Sequence, residues 1–161
     1  MNISIRNEKV SDVQSIHELT VATDHTEQFI VDALRKSGVL TISLIAEEAG
    51  KIVGHVAVSP VSISDGTTSW YGLGPISVSP SEQGKGIGSA LMEAAILSLK
   101  ELNANGCVLL GDPNYYKRFG FKPMNGLELP DVPAEYFQAL MFSGDLPQGT
   151  VTYHESFSAT A

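Results

Sequence analysis

Three glycines in five positions stand directly before the most regular helical pattern of the chain. The segment 83–89 reads Gln-Gly-Lys-Gly-Ile-Gly-Ser, and apolar residues then recur at helical spacing as far as Leu102. Each glycine weakens a helix start by about 0.5 to 1 kcal/mol relative to alanine, so a purely structural role is unfavourable. Glycines leave backbone N–H groups bare, and a helix N-terminus adds about half a positive charge. The segment therefore predicts a helix whose first turn cradles a diphosphate.

Two common phosphate-binding motifs fit this segment less well. A P-loop needs a Gly-Lys-Ser/Thr end after four intervening residues, and no such pattern occurs. The dinucleotide fingerprint fits at Gly84 and Gly86, but Ser89 stands where its last glycine or alanine belongs. Residues 79–83 also separate the glycines from the preceding strand, and about 50 residues follow Asp112, too few for a second nucleotide-binding half. A flexible turn and a nicotinamide-dependent oxidoreductase stay open as alternatives.

The N-terminal half of the chain has the pattern of one strand, two helices and a hairpin. Alternating apolar and polar residues at 3–6 predict the first strand. Ser11 with Gln14 forms a capping box that predicts the start of the first helix, and Thr26 is the predicted cap of the second. Residues 41–58 are rich in β-branched side chains on both sides of a glycine turn, which predicts two paired strands.

The C-terminal half predicts short strands around the glycine-rich helix. Residues 70–78 form a strand in which Gly74-Pro75 predicts a bulge, because proline cannot donate to a strand ladder. The remaining predicted elements are a buried strand at 107–110, a short helix at 115–119, a strand from Phe121, and strands at 136–142 and 150–157. With 161 residues, we expect a single domain over 1–161, of the α/β (α+β) class, with one mixed sheet flanked by helices.

Charge and composition restrict the classes of partner that we expect this protein to bind. A formal net charge of −8 repels a phosphate backbone, so we expect no nucleic-acid partner. The N-terminus carries the charged residues Arg6, Glu8 and Lys9 where a secretory segment would be apolar, and no apolar stretch approaches the length of a membrane span. The single cysteine, Cys107, forms no internal disulfide and fits a reducing compartment. We therefore expect a cytoplasmic protein without a membrane partner.

The segment Gln83-x-x-Gly86-x-Gly88 resembles the acyl-CoA pyrophosphate motif of the GCN5-related N-acetyltransferases, the GNAT superfamily. Residues 73–80 before it, residues 110–121 after it and the Val132-Pro133 region are similar to a subgroup of predicted bacterial acetyltransferases related to YhbS. The resemblance covers nearly the whole chain. Three motifs in the same order are far more specific than the glycines alone.

The resemblance implies a GNAT fold, in which a mixed, mostly antiparallel sheet has splayed fourth and fifth strands with pantetheine between them. It also implies acetyl-CoA as the cosubstrate and no metal. Ile76 and Val78 would offer main-chain groups to pantetheine, and Asn114 would meet the cosubstrate from the side of the fifth strand. The residues that the resemblance places at the diphosphate are Gln83, Gly84, Lys85, Gly86, Ile87, Gly88 and Ser89.

Acetyl transfer from a thioester to an amine needs a deprotonated amine, close placement, a stabilised oxyanion and a proton for the departing thiolate. The resemblance places a tyrosine at Tyr116 as that proton donor, and a phenol with a pKa of about 10 stays protonated at neutral pH. Tyr115 beside it is expected to pack or to face the acceptor. We expect Cys107 to be a buried structural thiol. The four histidines, His17, His25, His55 and His154, show no metal-ligand spacing.

The general base and the acceptor stay open at this point. Some GNAT enzymes carry a glutamate on the fourth strand, but Gly72 stands at that position. A water chain, Glu27, Glu47 or His55 could take the proton. Between Pro123 and Ala161 there are five acids and no lysine or arginine, and we hypothesise that these carboxylates favour a cationic amine.

The acceptor class that the resemblance implies is a small-molecule or peptide amine. Dimers are common in the superfamily, so the resemblance also allows a homodimer. The main alternative to an N-acetyltransferase that transfers the acetyl group directly is a non-catalytic acyl-CoA-binding or regulatory module of the same fold. Stabilisation by NAD(P) rather than acetyl-CoA would instead favour an oxidoreductase.

Overall fold

The computed structural model of the protein describes residues 3–24 and 27–159. Its strands are β1 (Ile3–Asn7), β2 (Ile42–Glu48), β3 (Lys51–Ile63), β4 (Trp70–Val78), β5 (Gly106–Leu110), β6 (Leu127–Glu128), β7 (Phe137–Met141) and β8 (Gly149–Tyr153). Its α-helices are α1 (Val13–Thr23), α2 (Glu27–Lys36), α3 (Ile87–Glu101) and α4 (Pro113–Tyr116). Short 3₁₀ turns occupy Val10–Asp12, Pro80–Glu82, Lys117–Phe119, Ala134–Tyr136 and Glu155–Ser158.

The sheet follows the order β1-β2-β3-β4-β5-β7, with β8 paired to the end of β3 and β6 paired to β8. Within the main path, only the β4–β5 pair is parallel. That pairing runs only from Trp70 opposite Gly106 to Gly72 opposite Val108, although β4 continues to Val78. The two strands therefore separate after Gly72. This confirms the predicted mixed sheet with splayed fourth and fifth strands.

The predicted bulge lies where this separation begins. Val56 pairs with Ile76 and Val58 pairs with Leu73, so β4 uses three residue steps where β3 uses two. The extra residue falls at Gly74-Pro75, where Gly74 has a φ of 142°. A bulge increases the local twist of its strand. The second half of β4 is thereby turned away from β5 while it stays paired with β3.

Helix α3 packs on one face of the sheet and brings its N-terminus to the end of β4. Leu91, Met92, Ala95 and Leu99 are buried, and the helix packs on β2, β3 and β4. Gly54 on β3 makes the close approach possible, because a Cβ there would lie 2.9 Å from Leu91 Cδ1. The glycine-rich segment is consequently held beside the last residues of β4.

Two groups of residues pack on the opposite face of the sheet. Helices α1 and α2 cover its first half, where Ile16 and Val31 pack on Ile45. A second cluster covers the other half, with Trp70 packed among residues of β5, β7 and β8.

Helical structure begins near residue 11 as predicted, at Val10, but the predicted capping box is wrong. A 3₁₀ turn occupies Val10–Asp12, so neither Ser11 nor its box with Gln14 caps α1. The Asp12 carboxylate instead accepts the Lys9 N–H at 2.7 Å and is bound by the Arg6 guanidinium at 2.7 and 3.2 Å. Arg6 lies on a strand, so this partner is set by tertiary contacts. Thr26, the predicted cap of the second helix, lies outside the described residues.

Three predictions for the C-terminal half also need correction. The strand expected from Phe121 is a single bridge between Lys122 and Ala139. The last strand ends at Tyr153 rather than continuing to 157, because His154 Nδ1 accepts the Ser156 N–H at 3.1 Å and starts a 3₁₀ turn. The short helix begins at Pro113 rather than at 115, because the Asp112 carboxylate caps it by accepting the Asn114 N–H at 2.9 Å.

Candidate active site

A cavity of about 330 Å³ lies where β4 ends and α3 begins. Gly84 and Gly86 line it with φ values of 80° and 83°, which favour glycine. An added Cβ at either glycine would meet no atom within 4 Å, so the space above the backbone is open. The first bond from an α3 N–H is that of Ala90 to Gly86 O at 3.1 Å. The N–H groups of 87–89 therefore precede the helical ladder and are available to an anion.

The charged groups around this cavity are unequal. Lys85 Nζ lies 2.9 Å from Glu82 Oε2, so a neighbouring carboxylate already compensates its charge. Arg118 lines the cavity and has no ion pair within the described residues. Its Nε donates to Tyr115 O at 2.9 Å, and its guanidinium carbon lies 4.4 Å from the centre of the Tyr115 ring. Two terminal nitrogens of Arg118 thus remain as donors.

The predicted diphosphate residues are largely brought together here. The lining of the cavity includes Val78, Gln83, Gly84, Gly86, Ile87, Gly88 and Ser89. Gln83 points back along the loop, since its Nε2 donates to Val78 O at 3.1 Å. Lys85, Ile76 and Asn114 do not line this cavity. Tyr115 does, with its hydroxyl oxygen 3.3 Å from Ser89 Oγ.

Two residues of this cavity were not predicted to lie there. Arg118 was not identified from the sequence at all, and Tyr115 was assigned a different role. Tyr115 was expected to pack or to face the acceptor, and it contacts the glycine-rich helix start instead. Their spacing of three residues gave a usable signal, because residues three apart in a helical turn share a face. The chain had no local feature that would direct this face toward residues 83–89.

Tyr116 lies half-buried at the end of β5. A Cβ on Gly111 would lie 2.3 Å from Tyr116 Cε2, so the ring lies directly against this glycine. Its ring also stands perpendicular to that of Tyr115, with the centres 4.9 Å apart. Burial raises the pKa of the Tyr116 phenol, and the nearby Tyr115 and Glu27 raise it further. Tyr116 is therefore a protonated donor at neutral pH.

Glu27, the first residue of α2, reaches β4 from the opposite face. Ser77 Oγ donates to Glu27 Oε2 at 3.3 Å. Burial raises the pKa of Glu27, and the neighbouring charge of Asp24 raises it as well. Successive strand residues point to opposite faces, so Ser77 and Ile76 lie on different sides of β4. Ile76 and Tyr116 both pack against the cluster around α3, which puts Glu27 and Tyr116 on the two sides of the gap.

The other base candidates are less suited to accept a proton. Glu47 Oε2 already lies 3.1 Å from Arg6 Nη2 in an ion pair. His55 is 1% exposed, and burial together with the charge of Arg35 lowers its pKa to about 4. At Gly72, a Cβ would lie 3.2 Å from Val61 Cγ1 and 3.5 Å from Tyr153 Cε1. A side chain at this position would therefore be crowded by Val61 and Tyr153.

Several other groups can be placed as well. Cys107 is fully buried in the core, which raises the pKa of its thiol and disfavours the nucleophilic thiolate. The parts of the chain that the structure describes hold no cluster of three metal-ligating side chains and no helix long and apolar enough to cross a membrane. The five acids after Pro123 are all exposed: Glu128, Asp131, Glu135, Asp145 and Glu155.

The family profile described as an acetyltransferase (GNAT) domain matches residues 40–123, from the start of β2 to beyond α4. Among curated proteins, "Uncharacterized N-acetyltransferase YhbS" of Escherichia coli K12 is 34% identical over 140 residues, which cover 82% of this chain and 83% of the relative. Among solved structures, YhbS from Escherichia coli in complex with CoA has a TM-score of 0.92 at 30% identity, covering 100% of this chain and 94% of that one.

A second solved structure is similar at higher sequence identity. A GNAT family acetyltransferase from Brucella melitensis in complex with acetyl-CoA is 45% identical, with a TM-score of 0.85. The match covers 97% of this chain and 98% of that one.

Proposed function

This chain belongs to the acetyltransferase (GNAT) family, and from that premise we propose that it transfers the acetyl group of acetyl-CoA directly to a primary amine of a small molecule or peptide. The observation that carries this proposal is the gap between β4 and β5, which ends at the open glycine cradle and has Glu27 and Tyr116 on its two sides. Relatives of this chain are described in complex with acetyl-CoA and with CoA.

The residues around the cradle fit the diphosphate of acetyl-CoA. The open space over Gly84 and Gly86, with the free N–H groups that follow, suits paired phosphoryl groups. Gln83 holds the loop to the end of β4, and Lys85 adds a cation already shared with Glu82. Arg118 supplies a further cation that no carboxylate of the described residues compensates. We assign pantetheine to main-chain groups of Ile76 and Val78 and a peripheral contact to Asn114.

The acceptor amine is deprotonated by Glu27 in this mechanism. A carboxylate whose pKa is raised is a stronger base than an exposed one, and Glu27 is raised by burial and by Asp24. The two carboxylates also favour the approach of an ammonium group. The amine nitrogen then forms a bond to the thioester carbonyl carbon, and backbone N–H groups near Val78 stabilise the oxyanion.

Collapse of that adduct breaks the C–S bond and releases a thiolate. Tyr116 donates its proton to the sulfur as this charge develops, and its raised pKa keeps the donor protonated throughout the neutral range. Glu27 retains the first proton, taken from the ammonium group, until it is returned to solvent. The nitrogen of the adduct loses its second proton to the Tyr116 phenolate, which restores the phenol. The products are an N-acetylated amine and CoA.

Ligand-induced stabilisation and thiol release test this function together. We expect acetyl-CoA to raise the melting temperature, since a ligand at about 100 times its Kd stabilises by about 2.7 kcal/mol, and NAD(P)H to leave it unchanged. We further expect release of free CoA with at least one member of a panel of neutral and cationic amines. Binding without release on any amine would favour a non-catalytic module, and stabilisation by NAD(P)H alone would contradict the proposal.

Replacing the phenol tests the proton donor. We expect Tyr116→Phe to lower kcat by about 10² to 10⁴ and to leave the Kd for acetyl-CoA nearly intact, because the ring remains and only the proton is lost. The exposed Tyr136 supplies the matched control, and Tyr136→Phe is expected to keep wild-type kcat. An unchanged kcat in Tyr116→Phe would remove it from the mechanism.

The pH profile tests the base. Glu27 acts only when deprotonated, so kcat/KM should rise as the pH rises through the raised pKa of Glu27 and then level off. We expect Glu27→Gln to lose this rising limb and to lower kcat/KM by about 10² to 10⁴. Glu47→Gln should keep both the rising limb and the wild-type kcat/KM, since Glu47 is paired with Arg6. Loss of the limb in Glu47→Gln instead would overturn the assignment.

Two neighbouring cations test the phosphate contact. Arg118 lines the cavity, whereas the exposed Lys117 beside it does not. We expect Arg118→Gln to weaken CoA binding about tenfold, the cost of one hydrogen bond to a charged group, and Lys117→Gln to change it little. Isothermal titration at two salt concentrations measures both. An equal loss of CoA affinity in the two variants would show that Arg118 acts only through the general surface charge.

A further inference from the structure

A line of polar groups runs beneath α2 from the partly buried pair of Arg35 and Glu8 to the buried Ser43 and His55, and the mechanism above does not use it. Arg35 Nη2 donates to Glu8 Oε1 at 2.9 Å, and the Ser43 hydroxyl donates to the same carboxylate oxygen. His55 Nε2 lies 2.8 Å from Ser43 Oγ. The line therefore ends at the imidazole of His55, on the face of β3 that α2 covers.

The hydrogen bonds of Ser43 determine which nitrogen of His55 carries the proton. A hydroxyl has one proton, and Ser43 gives it to Glu8, which as a carboxylate only accepts. Ser43 Oγ must therefore accept from His55, so Nε2 bears the hydrogen. Burial and the charge of Arg35 keep the ring neutral, which leaves Nδ1 as a bare acceptor. That atom is buried and has no partner within residues 3–24 and 27–159.

Ser77 is the neighbouring donor that could serve this acceptor. His55 pairs directly with Ser77 across the β3–β4 ladder. Directly opposed residues of an antiparallel pair share a face, with their Cβ atoms about 4.5 to 5.5 Å apart. The Ser77 hydroxyl now points to Glu27 Oε2 over a long bond of 3.3 Å. Glu27 and His55 thus stand on either side of one buried hydroxyl.

We propose that the Ser77 hydroxyl alternates between these two acceptors, and that His55 is a positioning residue which stabilises the protonated form of Glu27. This rests on the role of Glu27 as the base. When Glu27 is a carboxylate, Ser77 donates to it. When Glu27 has taken a proton, the Ser77 side chain rotates about its Cα–Cβ bond so that its O–H donates to His55 Nδ1. The new O–H of Glu27 then donates to Ser77 Oγ. No proton leaves Ser77 or His55, so each hydroxyl keeps one hydrogen in both states.

The consequence is a gain in the basicity of Glu27. In the protonated state, Glu27 keeps its hydrogen bond with Ser77 and Nδ1 gains a partner, whereas in the ionised state Nδ1 is left bare. Asp24 acts in the same direction on Glu27 through its negative charge. Tyr116 faces Glu27 across the gap, while Arg35 and Glu8 face the imidazole end of the line and hold its tautomer.

Nuclear magnetic resonance of the wild-type chain tests the switch without acetyl-CoA or an acceptor, so its failure is separate from failure of the proposed function. We use ¹³C-carboxyl glutamate and ¹⁵N-imidazole histidine labels, with Glu27 assigned by its loss in Glu27→Gln and His55 by its loss in His55→Gln. We expect the His55 Nδ1 resonance to shift toward a hydrogen-bonded value as Glu27 takes up its proton, and Ser77→Ala to abolish that shift. A His55 Nδ1 chemical shift that does not change as Glu27 titrates overturns the proposal.

Two replacements of His55 separate the acceptor from the rest of the line. Asn places its Oδ1 where Nδ1 was, and Gln places its Nε2 donor where the imidazole Nε2 was. We expect His55→Gln to lower the pKa of Glu27 by about half to one unit and His55→Asn to leave it near the wild-type value. In a Ser77→Ala background, His55→Gln should have no further effect. Equal shifts in both His55 variants, or a full shift without Ser77, would contradict the switch. Should these variants fail to fold, the wild-type titration alone decides.

Discussion

The separation of two parallel strands is the constraint on which the rest of this molecule depends. Up to Gly72, β4 has partners on both sides, and beyond it only β3 remains. Backbone polar groups inside a sheet are costly to leave without partners, so an opened edge of this kind requires water or a ligand. The bulge at Gly74-Pro75 directs the strand away from β5, and the close packing allowed by Gly54 brings the cradle to the end of the same edge.

Crowding at Gly72 and burial near Ser77, both on the face of β4 away from α3, divide the proposed chemistry between distant elements. Tyr153 and Val61 fill the space over Gly72, so β4 has no room for its own acidic side chain there. Glu27 reaches the strand from α2 instead, where burial raises its pKa. The position of Glu27, the proposed base, thus depends on how α2 is held against the sheet, and the partly buried pair of Arg35 with Glu8 is one of the contacts that hold it.

Sequence patterns were reliable where a feature is local. The glycine-rich start of α3, the hairpin of β2 and β3 and the bulge in β4 follow from backbone preferences that residues within a few positions impose. The predicted capping box at Ser11 does not form, because Asp12 instead accepts a hydrogen bond from Arg6 of β1. The last strand was predicted four residues too long, since alternation continues to Phe157 while His154 bonds the chain into a turn. Arg118 was missed because only the packing of the α4 region directs it toward the cradle.

The sequence by itself determined where the backbone can bend, which segments are apolar and which family the chain resembles, because these are properties of short stretches and their order. Only the tertiary structure distinguishes Glu27, Glu47 and His55 as candidates for the base. A pKa depends on burial and on charges that come from other elements, and Ser77 meets Glu27 across 50 positions of sequence. The sequence shows which ionisable groups are present, but only the packing of the folded chain sets the pKa of each group.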